Sequence, residues 1–73
     1  MDDFKSCLKR CRLQAGLTQK EAAARLGIAF STYRRYEWGS TEPTVSEAKA
    51  IAVFYGVTLD YLSGDSTVPR KID

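Results

Sequence analysis

Apolar residues recur at helical intervals from the start of the chain. Phe4, Cys7, Leu8 and Cys11 follow the i, i+3, i+4, i+7 spacing of an amphipathic helix, with Lys5, Lys9 and Arg10 on its other side, and Gly16 closes it. Thr18 opens a second helix. Glu21 stands three residues later, the pattern of a capping box in which each side chain satisfies a free backbone N–H. The centre of this helix is rich in alanine, with Ala22, Ala23 and Leu26 expected to face inward, and Gly27 stops it.

The short connection from Gly27 to Phe30 forces the next helix to meet this one at a sharp angle, the arrangement of a helix-turn-helix. At about 100° per residue, the third helix places Tyr33, Tyr36 and Glu37 on one side and Ser31, Arg34, Arg35 and Trp38 on the other. The tyrosines should therefore face the core and the arginines the solvent. Gly39 ends this helix. After the loop GSTEP, Thr44 and Glu47 repeat the capping-box pattern, and Val45, Ala48, Ile51, Ala52 and Tyr55 form the apolar stripe of a fourth helix that Gly56 terminates. A short fifth helix is expected from Thr58 to Ser63, with Leu59 and Leu62 as its apolar contacts. The stretch 65–73, DSTVPRKID, has no periodicity and reads as a mobile tail after a domain spanning 1–64. The pattern as a whole is that of an all-α domain with no internal repeat.

At 73 residues the chain makes one small domain with a modest core, better suited to binding than to building a deep catalytic cleft. Its composition, 44% hydrophobic and 27% charged, is that of a folding chain. No apolar run approaches the roughly 20 residues that span a bilayer, and MDDFKS lacks a signal peptide's order, so a cytoplasmic location is expected and no membrane partner. The chain has no histidine, and two cysteines fall short of a structural zinc set, so neither a metal nor another cofactor is expected. Cys7 and Cys11, four apart on one helix face, have parallel Cβ directions that fit a disulfide poorly, and they are expected reduced and buried. With no phosphate loop and no paired-carboxylate constellation either, enzymatic activity and a small-molecule substrate are not expected.

The net charge of +2 conceals an asymmetry. Residues 1–41 carry Lys5, Lys9, Arg10, Arg12, Lys20, Arg25, Arg34 and Arg35 against Asp2, Asp3, Glu21 and Glu37, while the remainder carries more acids than bases. Such polarity suits a protein that turns one side to phosphates.

Taken together, Arg12, the GLTQKEAAARLGI segment from Gly16 to Ile28, Tyr36, Glu37 and Gly39, Pro43, and the GVTLDYL ending from Gly56 to Leu62 stand in a familiar order and spacing. In this the chain resembles the Cro/CI-type helix-turn-helix domains of phage repressors and the wider XRE-like group of bacterial regulators, from about Leu8 to Leu62. The resemblance implies a five-helix, lambda-repressor-like DNA-binding fold in which helices 2 and 3 form the DNA-binding unit. It implies that Thr18 and Gln19 lie near the DNA backbone, where a helix N-terminus offers free N–H groups to phosphate. It also implies that the helix beginning near Ser31 enters the major groove, with Ser31 and Arg35 at positions that touch base edges and Phe30, Thr32 and Arg34 beside them. Arg35 is the first choice for pairing with guanine and Arg34 the second; either alternatively clamps phosphate. Arg12 and Glu37 match an ion pair that links the first helix to the end of the recognition helix.

The sequence departs from the family pattern at four places. Ala29 replaces the usual Ser or Thr cap of the recognition helix, at a cost of roughly 1 kcal/mol. Phe30 replaces a polar residue and either packs against the turn or meets a thymine methyl. Ala22 replaces a leucine, leaving space for Tyr33 and Tyr36. Trp38 occupies an exposed position open to a partner, the DNA backbone or the following loop. The expected function is a sequence-specific regulator of double-stranded DNA, of phage, prophage or mobile-element repressor type, dimeric on a pseudo-palindromic operator. Val57, Leu59 and Tyr61 either form a small dimer interface or close the core. The alternative is a protein-interaction module, such as an antitoxin or anti-repressor partner, built on the same helices.

Overall fold

The computed structural model describes residues 3–63; the tail expected over 65–73 lies outside them. Five helices follow in order: α1 (Phe4–Gln14), α2 (Gln19–Leu26), α3 (Phe30–Trp38), α4 (Val45–Tyr55) and α5 (Leu59–Leu62). Among the described residues there is no strand, and no helix is long and apolar enough to cross a membrane. The fold is the expected all-α, lambda-repressor-like arrangement.

Each helix starts where the sequence provides a cap, with one exception. Asp3, Thr18, Thr44 and Thr58 each accept a backbone N–H from three residues ahead, satisfying one of the orphan donors at a helix start. At α2 the box is complete, because Thr18 N–H also donates to Glu21 Oε1 at 2.9 Å. These bonds from Thr18 hold the Glu21 carboxyl below its usual value. At α4 only half of the expected box forms. Glu47 N–H reaches Thr44 Oγ1, but the Glu47 carboxylate turns away to accept the Tyr36 hydroxyl. Ala29, in extended backbone geometry before α3, supplies no side-chain cap, so the lost cap foreseen from the sequence is real.

The turn between α2 and α3 is set by Gly27, whose φ of +74° belongs to the left-handed region that disfavours a Cβ. Gly27 N–H bonds Ala24 O at 3.2 Å and Ile28 N–H bonds Ala23 O at 3.1 Å, the paired closure of a Schellman end. Ile28 then folds onto the core as its apolar companion. The same closure recurs after α1, α3 and α4.

The core gathers Cys7, Leu8, Cys11, Ala22, Ala23, Tyr33, Tyr36, Ile51, Ala52, Tyr61 and Leu62, with Leu26, Tyr55 and Val57 packed against it. Both cysteines are free and buried. Fully buried leucines such as Leu8 and Leu62 contribute roughly 1.5–3 kcal/mol each. The small Ala22 and Ala23 let α3 approach α2, and Tyr33, fully buried, occupies the volume beside them. One expectation is corrected here. Val45 does not join the inner stripe of α4 but stands 68% exposed, because the helix turns its first residue outward beyond the edge of the core. Of the two readings of Val57, Leu59 and Tyr61, closing the core is the one their burial fits. Tyr61 is buried under the Arg10 guanidinium, 5.7 Å from its ring centre, Val57 packs on the core, and Leu59 is half-buried.

Candidate nucleic-acid interface

The inner face of α3 is fastened to three other helices. Glu37, buried, accepts from Arg12 of α1 through Nε at 2.7 Å and Nη2 at 3.2 Å. Gln19 of α2 adds its side-chain amide to the same carboxylate at 3.2 Å, and Arg12 Nη1 donates to Leu17 O at 2.9 Å. The expected ion pair is therefore present and is the centre of a four-residue network. The hydrogen bond to Glu37 pushes the Arg12 pKa further up, so the guanidinium stays charged. Two tyrosine hydroxyls reach across to α4: Tyr33 to Tyr55 at 2.7 Å, and Tyr36 to Glu47. Burial and these bonds raise both tyrosines above their ordinary value, Tyr36 to about 12. Every polar side chain on this face is thus engaged, as a low-dielectric interior demands.

The outer face is the opposite. Ser31 and Arg35 are exposed, Thr32 is half-buried at its flank, and Phe30 and Trp38 stand 41% and 63% exposed. Neither Arg34 nor Arg35 has a hydrogen-bond or ion-pair acceptor among the described residues. Arg34 nevertheless has a fixed place. Its Cζ lies 5.3 Å from the Phe30 ring centre and 4.9 Å from that of Trp38, one ring a turn before it and one a turn after. Each such contact is worth about 0.5–1 kcal/mol at an exposed site. Trp38, unassigned from the sequence, packs against Arg34. Phe30 packs too, against Arg34. The spacing Phe30, Arg34, Trp38 at i, i+4, i+8 was the available signal.

At the start of α2, Thr18 is exposed beside the half-buried Gln19. The Gln19 amide nitrogen donates to Glu37. This leaves the amide oxygen and one N–H for another partner. The capping bonds consume the Thr18 and Glu21 N–H groups, and the N–H groups of Gln19 and Lys20 remain at the free end of the helix. The Glu21 carboxylate beside them offsets part of the positive end of the helix dipole. Among the described residues, no group of three or more His, Cys, Asp or Glu side chains is placed to hold a metal ion.

Comparison with known proteins agrees with this geometry. A family model described as helix-turn-helix matches residues 8–62. The chain is 44% identical over 59 residues to the uncharacterized HTH-type transcriptional regulator YqaE of Bacillus subtilis, covering 81% of this chain and 51% of that protein. It is 38% identical over 64 residues to the HTH-type transcriptional regulator ImmR of the same organism, covering 88% and 50%. To the cryptic phage CTXphi transcriptional repressor RstR of Vibrio cholerae it is 35% identical over 63 residues, covering 86% and 57%. The chain thus spans about half the length of the curated relatives it matches. Five helices, the α2–α3 turn and the Arg12–Glu37 pair lie within the matched residues, and the chain belongs to the helix-turn-helix family, in its Cro/CI-type, XRE-like group.

Proposed function

We propose that this chain is the DNA-binding unit of a cytoplasmic transcriptional regulator, a repressor of phage or prophage type that acts as a homodimer on a pseudo-palindromic operator. The half-sites would lie about one helical turn, roughly 34 Å, apart. In this reading α3 enters the major groove, Ser31 and Arg35 meet base edges with Phe30, Thr32 and Arg34 beside them, and Thr18 and Gln19 approach the phosphate backbone. The observation that carries it is the division of α3. Its inner side chains are bonded to α1, α2 and α4, while its outer arginines have no acceptor among the described residues. A rigid helix with unspent cationic donors is what reading a groove requires, since a guanidinium that is already paired cannot serve a base or phosphate. The repressor named among the relatives supports the regulatory role.

Selection of random duplexes on the purified chain tests the proposal. An enriched palindrome is expected, with the preference at one base pair relaxed by Arg35→Ala and with affinity falling steeply as salt rises. Absence of enrichment at low salt would sink the DNA reading and favour a protein-interaction module.

A further inference from the structure

We propose that Phe30 and Trp38 are positioning residues that hold Arg34 as a preset reader of a guanine flanked by thymine. The inference rests on the proposed DNA binding and specifies what one part of that surface recognises.

The argument starts from how the Arg34 guanidinium is held. Rings lie on it from one helical turn below and one above, at 5.3 and 4.9 Å from Cζ. Its Nε is buried and has no hydrogen-bond partner among the described residues. The donor capacity of the side chain is therefore concentrated in the two terminal Nη groups, and a pair of parallel N–H donors is what guanine O6 and N7 accept. An arginine on a bare helix must give up rotamer freedom on binding, whereas one braced between rings has already done so.

The rings themselves supply the second half of the specificity. Phe30 and Trp38 are 41% and 63% exposed, so their outer edges remain open beside the guanidinium. Four residues of helix advance about 6 Å, and successive bases are about 3.4 Å apart along a strand. With Arg34 on a guanine, each ring reaches toward a neighbouring base pair, and its apolar edge suits the C5-methyl of thymine. Arg35, exposed and without a ring against it among the described residues, has neither feature.

The test uses the duplex enriched by selection, with anisotropy to measure affinity and the single Trp38 as an internal reporter. The enriched site is expected to hold a guanine beside a thymine. Arg34→Ala should lower discrimination at that guanine roughly tenfold or more, and should shift Trp38 emission in the free protein. Replacing the thymine by uracil, which removes one methyl, should weaken binding about fourfold. Trp38→Ala and Phe30→Ala should reduce discrimination at the guanine without altering the helical circular dichroism, and Trp38→Phe should retain it. Three results overturn the inference while leaving DNA binding intact: unchanged base preference in Arg34→Ala with only a shallower salt dependence, equal binding of uracil and thymine, or full discrimination in both ring variants. No enrichment at all overturns it together with the DNA reading.

Discussion

Arg12 and Arg34 lie on opposite sides of α3 and are held by different forces. Beneath the helix, Arg12 has Glu37 and the Leu17 carbonyl as acceptors, and all three bonds are 3.2 Å or shorter. Above it, Arg34 has two aromatic faces and, among the described residues, no acceptor. Burial explains the difference. A cation taken out of water needs charge-assisted hydrogen bonds to offset its desolvation, whereas one that keeps its terminal nitrogens near solvent can be held by ring faces alone. The first arrangement fixes where α3 sits; the second leaves donors free on its outer face.

The strongest test of this contrast is to remove each arginine in turn. Arg12→Ala leaves the buried Glu37 carboxylate with only the neutral Gln19 amide and is expected to cost about 3–5 kcal/mol, a large part of the stability of so small a domain. At about 4–8 °C per kcal/mol, the loss should be plain in thermal unfolding. Arg34→Ala removes only exposed ring contacts and should cost no more than about 2 kcal/mol. Equal shifts in Tm would break the comparison. Replacing Arg12 and Glu37 together by methionine and leucine should recover much of the loss, since no unpaired charge then remains.

A pH titration probes the inner side next. Tyr36 holds its proton up to about 12 in the folded chain, against an ordinary value of 10.0, because it is buried and bonded to the Glu47 carboxylate. Tyr33 and Tyr55 are raised as well, mainly by burial. A raised tyrosine stabilises the fold fully below pH 10, and that contribution is lost as pH climbs from 10 through about 12. Ultraviolet absorbance of tyrosinate and circular dichroism should therefore change together in that window. Tyrosines ionising well before unfolding would show that the hydroxyl links to α4 are weak.

The smallest expected effect concerns the end of α3 between the two sides. Ala29 already has the extended backbone of an N-cap, with φ −64° and ψ 142°, but offers no acceptor. Ala29→Ser should add about 1 kcal/mol of stability, read as a rise in denaturation midpoint at constant m-value. No gain would mean that the free N–H groups at the start of α3 are already well solvated.

Much of this was legible in the chain. The glycine stops, the Thr18–Glu21 box, the inward tyrosines and the outward arginines all follow from spacing and local backbone chemistry, and the structure has them. The Arg12–Glu37 bond came from family resemblance rather than periodicity, since its partners are 25 residues apart. Other features were beyond the sequence pattern. Glu47 fits a capping box locally, but in the folded chain its carboxylate accepts the Tyr36 hydroxyl instead. Gln19 likewise donates to Glu37. Val45 obeys the apolar spacing of α4 and still faces solvent, because periodicity marks a face without saying how far along the helix its neighbours extend.

The sequence by itself determined the five helices, their ends and the two-sided character of α3, because these depend on caps, glycines and a 3.6-residue period within single segments. Tertiary structure alone decided which polar side chains are bonded between distant segments, as in the Arg12–Glu37–Gln19 network and the tyrosine links to α4. A hydrogen bond between distant segments is set by the distance and burial of both partners, and neither is a property of a local stretch. The two neighbouring arginines of α3 differ for a local reason instead: Arg34 is braced by Phe30 and Trp38 one helical turn away on either side, while Arg35 is exposed beside it.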